Sequence, residues 1–405
     1  MFSFKKLALF VLPAALIFTS CKEEDAPKPN PNPGTQPVNN LPALVLTNVL
    51  ADTVLQDRNT DPAKADYLVN SNIRIDAKLT LKPGVVIGFA QDARVDLNTT
   101  GSLIAKGTAE KKIRFIGQTA QKGFWSGIII YSAASVNEIS HAEILHAGSK
   151  AMLDNQKTAV ALFENARVSV SNSTVSQSGG FGMYLRDNSI PVTFANNVFS
   201  YNQEAPLQVA ANHVAVLDEA SIYTNNNGRN AVEVRGSLLT GNNEITWPAF
   251  TDGTPIRFLA TVGIRTGWKL KPGTTIEMAE DKQINIETNG YLNAVGTAAK
   301  KIVFTGTVKA TGTWNGLVVY TRSALNVLDH VKIQHAGGKA LFGGTKAAIG
   351  LFGTSATSLE VRNSEISQSG GYGIHVFGNK GVLNADVETV NTFTGNTQGN
   401  VYYEI

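Results

Sequence analysis

Four residue types in this chain combine reactive or ring-stacking chemistry with repetition. His141 and His146 recur as His330 and His335, Lys150 as Lys339, Trp125 as Trp314, and Tyr131 as Tyr320. Imidazoles can ligate zinc or move protons near neutral pH. An ammonium group can neutralise a substrate carboxylate, and aromatic faces can stack on sugar rings. Strand alternation puts His146 on the face of Ile144, and His335 on that of Val331 and Ile333, pointing inward. His141 and His330 take the opposite face. Ligands on opposite faces do not converge on one zinc ion, so hydrogen-bonded turn histidines are the expectation. Trp125 shares parity with Ile129, and Trp314 with Val318, while Ile128 and Ile130 occupy the other face. A strand apolar on both sides is covered on both, so packing is expected first for these rings. Glycan contact at Trp125, Tyr131, Trp314 and Tyr320 is the alternative. Lys150 and Lys339 read as solvated turn lysines. The repeated S-Q-S-G-G-[FY]-G at 176–182 and 367–373 lacks the G-K-[ST] of a phosphate loop and reads as a tight turn.

The elements that carry these residues are written twice. Residues 82–163 align with 271–352 without a gap at an offset of 189, with 34 of 82 positions identical. The correspondence resumes at offset 191, where NSTVSQSGGFG matches NSEISQSGGYG. Inside each copy, apolar pairs such as Val160/Leu162, Met183/Leu185, Leu207/Val209 and Val232/Val234 recur every 23 to 25 residues. Each pair reads as a short strand of period two bounded by Gly, Asn or Ser. Stacked repeats of this length make a solenoid. No helical period of useful length follows the first twenty residues. Asn172, Asn197, Asn202, Asn363, Asn391 and Asn396 flank the strands, where asparagine tolerates the left-handed backbone of a turn. The fold class expected is all-β, a parallel β-helix of about 14 coils at about 4.8 Å each. Residues 41–229 form the first module and 230–405 the second, as one rod or two abutting rods.

The segments YLVNSNIRIDAKLTLKPGVVI (67–87) and ITWPAFTDGTPIRFLATVGIRTGWKLKPG (245–273), with the paired W-x-G-[IL] and I-x-H-A-G elements, carry a resemblance. They resemble right-handed β-helix lipoproteins of Bacteroidota, whose fold is similar to that of pectate lyases. Such relatives often carry Tyr where His146 and His335 stand.

The start of the chain fits that resemblance. Lys5 and Lys6 precede an apolar run from Leu7 to Phe18, too short to span a bilayer, which takes about 20 residues. This reads as a signal peptide over residues 1–20. Thr19-Ser20 before Cys21, the one cysteine, resembles the lipobox of bacterial lipoproteins, with Phe18 departing from the usual aliphatic residue. The resemblance implies acylation of Cys21 and anchorage in the outer membrane. Residues 21–40 then form a tether. Its acidic stretch Glu23-Glu24-Asp25 resembles a surface-export signal, and its prolines favour extended polyproline II. Cleavage removes two lysines and no acid, leaving 33 basic residues against 32 acidic. That balance makes nucleic acid a poor partner. One cysteine excludes a disulfide scaffold and a cysteine-based zinc site.

Two classes of function remain. One is a surface-anchored binding or structural module, whose partner is an extracellular polysaccharide or a surface protein. The other is a polysaccharide lyase or glycoside hydrolase, which the fold alone suggests. Hydrolases of this type need paired carboxylates, and calcium-dependent lyases need clustered ones. The acids Asp92, Asp96, Asp154, Asp218 and Asp281 are scattered, and no catalytic residue, metal ligand or cofactor is assigned. A groove in which three carboxylates, or a carboxylate with Lys or Arg, converge favours the enzyme; a face without one favours binding.

Overall fold

The computed structural model describes residues 41–236, 238–352 and 356–404. The expected signal peptide, Cys21 and the tether lie outside these residues. The chain winds through coils of three short strands, such as Tyr67–Val69, Ile73–Ile75 and Lys78–Leu81, followed by Val86–Phe89, Arg94–Leu97 and Ser102–Lys106. Each strand pairs in parallel with its counterpart one coil on: Tyr67 with Ile87, Ile73 with Val95, Lys78 with Ser102. This is the β-helix expected from the repeat.

The corners explain the histidines. His141, Asn172 and Asn196 turn one corner of successive coils with φ of 45°, 51° and 54°. His146, Gln177, Tyr201 and Asn226 turn the next with φ between 56° and 67°. In the second module His330 with Asn363, and His335 with Gln368, do the same. His and Asn are among the non-glycine residues that best accept left-handed backbone. Inside the corners buried asparagines replace the missing ladder. Asn202 accepts the Ser178 N–H (3.0 Å) and donates to the Val175 carbonyl (3.2 Å), as Asn396 does for Ser369 and Ile366. Buried backbone groups thereby stay paired where the chain bends.

A 14-stranded sheet runs through both modules, from Ile73–Ile75 to Thr392–Thr394, and one contiguous apolar core fills the coil interior. Residues 229 and 230 lie within a single coil, between Ile222–Asn225 and Val232–Val234. The second module is set one face further round. Val86–Phe89 belongs to an eight-stranded flanking sheet, but its duplicate, Thr275–Met278, belongs to the long sheet. Conversely Gly127–Ile130 is on the long sheet, and its duplicate Gly316–Val319 is on the second eight-stranded sheet.

One expectation is corrected. Trp125 and Trp314 do not share a face with Ile129 and Val318. Gly127 and Gly316 intervene with φ of 123° and 128°, which resets the alternation and turns both indoles into the core. Trp125 is fully buried, stacks on Phe89 at 3.9 Å and donates its Nε1 hydrogen to the Leu145 carbonyl (2.8 Å). Trp314 is equally buried and donates to the Gln334 carbonyl. Neither ring can contact a glycan. One coil carries a short 3-10 helix, Ala211–Val216, in place of a strand. His213 holds its start: Nδ1 accepts the Ala210 N–H (3.2 Å) and Nε2 faces the Ser189 carbonyl (2.7 Å).

Candidate functional site on the long sheet

Neither repeated histidine pair makes a site. His146 and His335 are buried, and burial lowers both from the ordinary imidazole value. His335 pairs with the Thr305 hydroxyl (2.8 Å), and His330 with Asp329 (2.8 Å). His141 is half-buried at its corner. Lys150 and Lys339 form the same exposed ion pair in each module, with Asp92 (3.0 Å) and Asp281 (2.9 Å), the left-handed aspartates of the preceding coil. Among the described residues no three of His, Cys, Asp and Glu are grouped so as to hold a metal ion.

The chemistry gathers instead on the outward face of the long sheet. Parallel register sets one outward side chain of each strand directly over the next. The column reads Asp96, Ile129, Ala161, Tyr184, Gln208, Glu233, Arg257, Glu277 and Thr305. A hairpin, Ala151–Leu153 against Gln156–Leu162, covers the apolar part and makes a small second core of Ile129, Leu153, Ala161 and Tyr184. Beside it, Tyr131 packs on Phe163 (5.1 Å), and the Arg186 guanidinium lies 5.0 Å from the Phe163 ring centre. The Tyr184 hydroxyl donates to Asp154 (2.6 Å) and also meets Arg235, which pairs with Asp187 (2.7 Å). Burial, reinforced by Asp154, raises the phenol well above its ordinary value.

Beyond Tyr184 the column opens into a cleft of 620 Å³ where the first module gives way to the second. Glu204 and Arg229 enter it from turns, and Gln208, Glu233 and Arg257 from strands. Glu233, only 1% exposed, accepts from Arg229 at 2.5 Å and lies 3.9 Å from Arg257. Arg229 also pairs with Glu204, and the Glu233 hydrogen bond raises its guanidinium further. Arg257 donates to Glu277 (2.8 Å), which also takes the Lys309 ammonium (2.9 Å). Three carboxylates and three cations thus alternate across neighbouring coils. They form one lane running strand over strand, while Tyr131 and Phe163 pack against the hairpin core outside the cleft.

The expectation of scattered acids is corrected here, because glutamates from strands and turns converge with arginines and a lysine in this cleft, although the aspartates do not. The signal was present as a difference between the copies. Arg257, Glu277 and Lys309 stand where the first module has Leu68, Gly88 and Ala120. Identity between copies pointed to turns and core, whereas the site lies where they disagree. Tyr131 follows the long-sheet strand Gly127–Ile130, beside the hairpin core and outside the cleft. Tyr320 falls on the second eight-stranded sheet, because the second module is set one face round.

Residues 111–265 match the family model described as right handed beta helix region. Residues 256–350 match that described as pectate-lyase like beta helix domain. No curated protein and no solved structure matches the chain. The parallel coils and these two matches agree: the fold is a right-handed parallel β-helix, similar over residues 256–350 to pectate-lyase-like domains.

Proposed function

We propose that this protein is a lipid-anchored module of the bacterial outer membrane, displayed at the cell surface, that binds a glycan along the lane on its long sheet. The observation that carries the binding reading is the alternating row Glu204, Arg229, Glu233, Arg257, Glu277 and Lys309. Such a row presents fixed donors and acceptors at the spacing of the strands, and Phe181 and Leu259 add apolar flanks in the same cleft. Few polar groups with apolar flanks are what orient a ligand in a cleft. The convergence of three carboxylates with arginines favours a second reading, a lyase or glycoside hydrolase acting in the same cleft. Against it, a general acid or base must present its group to the substrate. Here Glu204, Glu233 and Glu277 present theirs to guanidinium and ammonium groups.

A panel of acidic and neutral glycans, assayed with the mature chain for binding and for cleavage, separates the two. The expected result is binding without cleavage, weakened about tenfold by Arg257→Leu, which installs the residue of the first module. Release of reducing or unsaturated ends, lost in that variant, would establish the enzyme. Absence of both would leave a protein partner. Anchorage has its own test. Cys21→Ser is expected to move the protein from the membrane fraction to the soluble fraction, and continued membrane retention refutes acylation at Cys21.

A further inference from the structure

The duplication places the same surface position in two chemical states. In the first module Tyr131 and Phe163 pack tilted on each other at successive strand ends, and the next residue in the column is Arg186. Its guanidinium sits 5.0 Å from the Phe163 ring centre and is held by Asp154 (3.5 Å) and Glu164 (3.6 Å). In the second module Tyr320 and Phe352 repeat the two rings at 5.5 Å. The residue aligned with Arg186 is Phe377, stacked on Phe352 at 5.7 Å and 18°. The next residue in register is Glu404. Phe342, from the hairpin Ala340–Phe342 against Thr345–Phe352, closes one side, 5.4 Å from Phe352 and 5.5 Å from Phe377. All four rings are half-buried.

This second column keeps the two rings but neither the cation nor the carboxylates that hold it, since Gly343 and Gly353 stand where the first module has Asp154 and Glu164; its carboxylate, Glu404, comes from the strand Gly399–Glu404. Glu404 contacts Thr345 (3.4 Å) and His375 Nε2 (2.8 Å). His375 is fully buried, stacks on Tyr402 and has no partner at Nδ1. Burial is the largest influence on its imidazole and pushes it below the ordinary value, so it does not cancel the charge of Glu404 at neutral pH. Ring faces carry negative electrostatic potential, and a carboxylate at the end of the column adds to it.

We infer that the Tyr320–Phe352–Phe377 column with Glu404 is a binding site for an organic cation, a guanidinium or alkylammonium group, which takes the role that Arg186 fills internally in the first module. The inference is independent of the glycan reading, since it concerns a different sheet. The group could belong to a small metabolite or to an arginine of a protein partner, and the probes distinguish these sources. The mature chain, carrying ring-labelled phenylalanine, is titrated with tetramethylammonium chloride, Nα-acetyl-argininamide and, as a neutral isostere, tert-butanol. Saturable shifts of the Phe352 and Phe377 resonances are expected with both cations, at dissociation constants on the order of millimolar. Tighter binding of the arginine derivative marks a protein side chain as the source, and tighter binding of tetramethylammonium marks a free cation. Glu404→Gln should weaken both about tenfold. Phe377→Arg, which restores the residue of the first module, should fill the site and abolish the shifts while the fold persists. Equal binding of tert-butanol, shifts that survive Phe377→Arg, or no saturable shift with either cation overturns the inference.

Discussion

Replacing Trp125 with alanine is expected to cost about 3–5 kcal/mol of stability, the range for a large aromatic lost from a packed core. The indole is fully buried, lies flat on Phe89 at 8° and is fixed by its hydrogen bond to Leu145. Neighbouring coils cannot collapse into the space, because each is pinned by its ladder to the coils on either side. Trp314→Ala should cost about the same, since Trp314 repeats the burial and the hydrogen bond. A finer comparison separates packing from hydrogen bonding. Trp268 is just as buried, but its Nε1 has no partner. Trp268→Phe loses only volume, whereas Trp125→Phe loses volume and a buried hydrogen bond, worth about 1 kcal/mol more. Equilibrium denaturation of the four variants decides it. A Trp125→Ala cost below about 1 kcal/mol would show that the indole is not the core element described.

The coil architecture was legible from the sequence because each coil repeats the same physical problem. Pairs such as Val160/Leu162 and Met183/Leu185 must point inward in register, and corners must accept left-handed backbone. Asn172 does so at φ 51°, whereas Asn197 and Asn202 follow the left-handed Asn196 and Tyr201 and instead bridge backbone groups of neighbouring coils from inside. The repeated histidines belonged to the same logic, being corner residues like Asn172 and Gln177. Two things were not legible. Local alternation failed at Trp125, because a single glycine with positive φ at 127 reverses which side chain faces the core. The setting of the second module one face round depends on how many strands the chain inserts between the copies. The 3-10 helix Ala211–Val216 and the short strands Leu238–Leu239 and Ile245–Trp247 lie in that stretch. Period counting within one copy is blind to it. That shift separates Tyr320 from Tyr131, and it lays the variable residues Arg257 and Glu277 over Gln208 and Glu233. The cleft is thus a product of the join, absent from either copy taken alone.

Glu233→Ala is the substitution expected to damage that join most, by about 3–5 kcal/mol, the cost of breaking a buried ion pair by removing one partner. Glu233 sits in the long sheet between Gln208 and Arg257 and is the least exposed carboxylate in the row. Its loss leaves Arg229 with Glu204 alone and Arg257 with Glu277 alone. Three cations then face two acids, and the buried position between Arg229 and Arg257 is left without the carboxylate that served both. Glu233→Gln should cost less, since the amide oxygen still accepts from Arg229 while the charge is gone. The two variants therefore divide the cost between charge and hydrogen bonding. They also report on the ligand. Removing one negative charge gives the cleft a net positive potential, so an acidic glycan should bind the Gln variant more tightly relative to a neutral one than it binds the wild type. Stability within about 1 kcal/mol of wild type for Glu233→Ala would mean the carboxylate is solvated, as in ordinary surface pairs. The row would then be a decorated surface rather than a built cleft.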